Sequence, residues 1–116
     1  MEAQIKTLIA NVLFFKGLSD AEIDDLYRIT SERTYQRNQI VFSDGEEGAG
    51  FFLVIEGRIS VYKMSPEGKE QILHILGPGE PLGQVAVFAG ASFPANAQAI
   101  AVSRLLFFPR RAFVNL

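Results

Sequence analysis

Up to Thr30 the hydrophobic residues recur at helical spacing; beyond it they alternate with polar ones or run continuously. Ile5, Leu8, Ile9 and Val12 share one face of a helix predicted over Glu2 to Phe15 and ended by Lys16-Gly17. Ser19-Asp20-Ala21-Glu22 predicts a capping box: the Ser19 hydroxyl accepts from the Glu22 N–H, and the Glu22 carboxylate reaches back. Leu18 and Ile23 stand where a hydrophobic staple would place them. The second helix should run to about Thr30, with Ile23, Leu26, Tyr27 and Ile29 inward.

From Ser31 the period becomes two. Arg33 to Gln36 and Gln39 to Phe42 predict short strands, and Ser43 to Gly48 a turn. Gly50 to Ile55, GFFLVI, predicts a strand buried on both faces. After a turn at Glu56-Gly57, Arg58 to Met64 alternates, with Ile59 and Val61 on one face and Arg58, Ser60 and Tyr62 on the other. Ser65-Pro66-Glu67-Gly68 is a further turn, and Glu70 to Leu76 a further strand. Asn96 to Phe108 reads as a strand pair broken near Ser103-Arg104; Pro109 fits the first position of a closing helix over 109–116. Short strands between turns, with helices at both ends, indicate a mainly β architecture, a β-barrel or a double-sheet roll.

The stretch Gly79 to Ala99 stands apart. It holds glycines and prolines around a short apolar run and no lysine or arginine. Gly79 and Gly83 frame a turn, Gln84 to Phe88 can make a helical turn, and Gly90 would end it. Such a segment could present N–H groups to an anion or a polar ligand; a plain bulge and crossover loop accounts for the same residues.

Composition narrows the function classes. The chain has 116 residues, enough for one domain, and 48% of them are hydrophobic, so it can bury a core. Its net charge of −2 argues against this piece gripping DNA or an anionic membrane by itself. Without cysteine there is no disulfide, thiolate nucleophile or cysteine-held cluster. No signal peptide or apolar run of membrane-spanning length is visible, which suits a cytoplasmic protein. The acidic group Asp20, Glu22, Asp24 and Asp25 reads as a solvated face at the positive end of a helix dipole.

In this order, the segments LFFKGLS at Leu13 to Ser19, FLVIEGRISVY at Phe52 to Tyr62, PEGKE at Pro66 to Glu70, GEPLG at Gly79 to Gly83 and LLFFPR at Leu105 to Arg110, with the Gly45-Glu46 turn, resemble the cyclic-nucleotide-binding domain family. Within it the chain is similar to sensor domains of CRP/FNR-type transcription regulators. The resemblance implies a jelly-roll barrel of about eight strands and a single sensor domain over 1–116: helices over 2–30, a β-roll over 31–108, and the start of a dimerisation helix over 109–116. It implies a small-molecule effector, a homodimer through the following helix, and DNA bound only through a helix-turn-helix domain. That domain is expected downstream and is not within these 116 residues. By motif position Val61 and Leu73 should line the effector pocket, with Gly83, Gln84, Val85, Phe93, Pro94 and Ala95 at its lip.

The departures point away from cyclic nucleotide. The family's ribose-binding glutamate slot holds Gln84, and its phosphate-binding arginine slot falls at Phe93 or Pro94. A buried phosphate needs a cation or several donors, and no Lys or Arg lies between Lys69 and Arg104. An alternative within the family is a haem-based nitric oxide or CO sensor, for which His74, the sole histidine, is the candidate ligand. His74 would then alternate with Ile72 and Leu76 on one strand face. Another is a cyclic-nucleotide-binding module of a different signalling protein. Enzymatic readings fare poorly: one histidine cannot build a cupin-type metal site or serve as base to an unembedded serine.

Overall fold

Strand pairing closes the middle of the chain into two four-stranded antiparallel sheets, with helices at either end; the computed structural model describes residues 1–114 and side chains to residue 112. The elements in order are α1 (Glu2–Asn11), a 3-10 turn (Leu13–Phe15), α2 (Asp20–Arg28), β1 (Ser31–Tyr35), β2 (Ile40–Phe42), β3 (Gly50–Glu56), β4 (Ile59–Met64), β5 (Glu70–Leu76), β6 (Pro81–Leu82), α3 (Gln84–Ala89), β7 (Asn96–Ala99), β8 (Ser103–Pro109) and α4 (Arg111–Val114). One sheet has the order β1-β8-β3-β6 and the other β2-β7-β4-β5, the arrangement of a jelly roll. Each sheet mixes strands from both halves of the chain, so its register depends on contacts distant in sequence.

β3 is the central stave. Phe51 to Ile55 are all buried, as a strand covered on both faces should be. On one face Phe51 stacks on Phe108, centroids 4.7 Å apart and planes 2° apart, with Phe15 against both. On the other Phe52 meets Phe107 and, across the roll, Phe42. Rings therefore knit the N-terminal turn to one sheet and the two sheets to each other.

The capping box forms as its sequence predicts. The Ser19 N–H donates to Glu22 Oε1 at 2.9 Å, and the Glu22 N–H to Ser19 Oγ at 3.2 Å. The helix expected over Glu2 to Phe15 does not run through. Val12 is extended, and the chain turns into the 3-10 segment, which lays Phe15 on Phe51 and Phe108. Ring packing overrides the helical period there.

Other boundaries move for tertiary reasons. β1 begins at Ser31 because Ser31 and Glu32 pair with Phe107 and Leu106, and it ends before Gln36, whose N–H is held by the Gln39 side chain. Pro81–Leu82, too short to read from a pattern, pairs with Leu53 and Phe52. Pro109 does not open the last helix: it ends β8 opposite Gly50, and α4 starts at Arg111. Of the helix expected over 109–116, residues 115 and 116 lie outside the described residues. On β4, Ser60 and Tyr62 are buried although they share the face opposite Ile59 and Val61. The strand is central, so Ser60 lies between Ile75 and Gln98, and Tyr62 between Ile72 and Asn96. The Ser60 hydroxyl has no hydrogen-bond partner among the described residues.

Candidate functional site

The mouth of the roll is built around α3. Gly83 precedes the helix with φ +83°, a left-handed conformation that suits glycine, and its Cα faces the Phe93 ring. A Cβ there would come within 2.9 Å of that ring. Gly90 closes α3 from the same left-handed region, and the Ala91 N–H reaches back to the Ala86 carbonyl at 2.9 Å. The returning chain is then pinned to the turn between β2 and β3. The Gly45 N–H donates to the Phe93 carbonyl at 2.8 Å, and the Phe93 N–H to the Glu46 carbonyl at 3.0 Å.

These elements enclose a cavity of about 780 Å³. Val61 and Leu73 line it from β4 and β5, Gly83, Gln84 and Val85 from the start of α3, and Phe93, Pro94 and Ala95 from the segment before β7. All eight residues singled out in the sequence thus border one space. Val85 is largely exposed at the lip, whereas Phe93 and Ala95, expected there from the sequence, are buried.

Phe42, Lys63, His74 and Ala89 also line this cavity and were not among those eight. Lys63 had a signal: it lies two residues after Val61 on one strand, hence on the same face. A search for cations along the chain between Lys69 and Arg104 passes it by. Its ammonium lies 3.9 Å from an Asp44 carboxylate oxygen, and its side chain is 51% exposed.

A β-bulge explains His74. Val61 pairs with His74 but Tyr62 with Ile72, so Leu73 is left without a partner. Strict alternation would put Leu73 and His74 on opposite faces; the bulge brings both to the cavity. His74 therefore does not share a face with Ile72, contrary to the alternation expected from the sequence. Ile72 lies with Tyr62 on the opposite face.

For haem, the cavity lining offers His74 as its candidate axial ligand. His74 stands exposed on β5, the strand at the edge of its sheet, and Met64 lies one residue out of phase with Lys63, on the other face of β4. One axial ligand at an open rim is all these side chains offer. At the inner end the Phe42 and Phe93 rings stack, centroids 3.8 Å apart. Among the described residues no three His, Cys, Asp or Glu gather as a metal site.

A two-sheet roll whose mouth is spanned by a glycine-bounded helix over a small cavity is the architecture of a ligand-sensing domain. The chain belongs to the cyclic nucleotide-binding domain family, whose model matches residues 32–116. It is 26% identical over 105 residues to the CRP-like cAMP-activated global transcriptional regulator of Mycobacterium tuberculosis, covering 90% of this chain and 47% of that one. It is 28% identical over 102 residues to the cyclic AMP receptor protein of Thermus thermophilus, covering 88% and 47%. The sensor domain of the transcriptional regulator DNR from Pseudomonas aeruginosa superposes with a TM-score of 0.86 at 26% identity, covering 99% of this chain and 79% of that one. The chain spans about half the length of the curated relatives it matches. Among the described residues no helix is long and apolar enough to cross a membrane.

Proposed function

We propose that this chain is the effector-sensing domain of a CRP/FNR-type transcription regulator, and that its effector is not a cyclic nucleotide. The observation that carries the second part is the buried ring of Phe93. Phe93 is one of the two positions, with Pro94, onto which the resemblance maps the family's phosphate-binding arginine, and its ring is stacked on Phe42. A phosphate brought against that ring would lose its water there without meeting the buried arginine that nucleotide-binding members supply. Gln84 offers an amide where a carboxylate would grip a ribose hydroxyl. The residues assigned to the effector are Val61, Leu73, Gly83, Gln84, Val85, Phe93, Pro94 and Ala95, with Phe42 and Lys63 added from the geometry.

The wider reading follows from the relatives. The domain acts in the cytoplasm without catalysis, as part of a homodimer joined by a helix continuing from α4, and DNA is bound by a separate domain. Isothermal titration of the protein with cyclic AMP and cyclic GMP tests the effector assignment. Binding should be no tighter than the high micromolar range; a sub-micromolar dissociation constant for either would overturn it.

A further inference from the structure

The charge inventory of the cavity is sparse and one-sided. Among the described residues that line it, Lys63 is the sole Lys, Arg, Asp or Glu. Most of the wall is apolar: Val61, Leu73, Leu76, Val85 and Ala89 run along it, and Phe93 closes the inner end. The Lys63 ammonium is held only by an exposed contact to Asp44, at 3.9 Å. Such a long, solvated pair is weak, so the ammonium is available to an incoming anion.

We propose that the effector is a largely apolar molecule carrying a single negative charge, such as an aromatic or alicyclic carboxylate, with its anionic group at Lys63 and its body along the apolar wall. The proposal rests on the reading of this cavity as the effector site. A cation would meet Lys63 with like charge. Gln84, Ser92 and His74 also line the cavity and can meet a few polar groups, but a dianion would find one lysine ammonium for two charges. One ammonium at the wet rim and an apolar interior match a molecule with one charged end.

Two fluorescent probes separate charge from body. 8-Anilinonaphthalene-1-sulfonate is an apolar aromatic with one sulfonate; N-phenyl-1-naphthylamine is the same body without it. Both are titrated into the wild-type protein and into Lys63→Met, Lys63→Arg and Ala89→Trp, each variant checked for its β-sheet circular dichroism. Lys63→Met should weaken the sulfonate probe about tenfold, the factor for one charge-assisted contact, and leave the neutral probe within about twofold. Lys63→Arg should restore the sulfonate probe. Ala89→Trp, at an exposed position on the cavity wall, should expel both, and Val61→Trp provides the same test from β4. If the cavity-filling variants expel both probes but Lys63→Met affects them equally or not at all, the anionic class is wrong and the cavity reading stands. If the cavity-filling variants leave both probes bound, the effector-cavity reading fails with it. Absence of saturable binding of either probe to the wild type also overturns the ligand class.

Discussion

Phe93 lies face to face with Phe42, planes 12° apart, although the two residues come from different segments of the roll. Phe42 ends β2, while Phe93 precedes β7 and presses on the backbone of Gly83. This stack shapes the inner end of the cavity and joins the lip to the core.

Removing either ring should therefore be costly. Phe42→Ala and Phe93→Ala are each expected to destabilise by about 3–5 kcal/mol, from lost burial and the cavity left behind. The double variant should fall short of the sum, with a coupling of about 0.5–1.5 kcal/mol for the stacked pair. Urea unfolding of the four proteins checks this, and strict additivity would show that the rings act independently.

A second prediction concerns the turn between β3 and β4. Gly57 has φ +104°, and a Cβ there would overlap Ser103. Ser103 is fully buried; its hydroxyl accepts from the Arg58 N–H at 3.1 Å and donates to the Ala101 carbonyl at 2.8 Å. Ser103→Ala leaves both groups unpaired and should cost about 1–3 kcal/mol. Gly57→Ala adds backbone strain to the overlap and should cost about 2 kcal/mol or more. Thermal unfolding ranks the two, and a neutral Gly57→Ala would contradict the described turn.

The capping box makes a prediction about pH. The hydrogen bond from the Ser19 backbone N–H, helped by the Ser19 side chain, holds the Glu22 carboxyl below its ordinary value. A depressed folded value means the stabilisation is present above the unfolded value and is lost as pH falls through the folded one. Glu22→Gln keeps an acceptor without the charge. Between neutral pH and about pH 3, wild type should lose melting temperature relative to Glu22→Gln, as the cap protonates. Parallel melting curves over that range would refute the linkage.

DNA affinity rests on neutralised phosphates, and this chain carries a net charge of −2. Residues 1–116 should give no mobility shift with promoter fragments at moderate salt. Specific retardation by these residues alone would contradict the assignment of DNA binding to a separate domain.

What is local in sequence was legible without coordinates. The Ser19–Glu22 capping box needs only residues three apart, and the continuous run GFFLVI between turns reads as a strand covered on both faces. Glycine and a short apolar run allowed either a helical turn from Gln84 closed by Gly90 or a plain bulge and crossover loop, and the structure has the helix. A barrel or double-sheet roll follows from many short strands between turns, and the family resemblance narrows it to a jelly roll. Partnership between distant segments decided the rest. The first helix breaks at Val12 because Phe15 has rings on β3 and β8 to pack against. Ser60 and Tyr62 are buried because β4 became a central strand, which depends on where β5 and β7 pair. The bulge at Leu73 exists only in relation to β4, and it alone turns His74 to the cavity. Lys63, by contrast, was legible: it lies two residues after Val61 on β4 and so shares its face, and only its meeting with α3 and the segment before β7 around one cavity needed the tertiary structure.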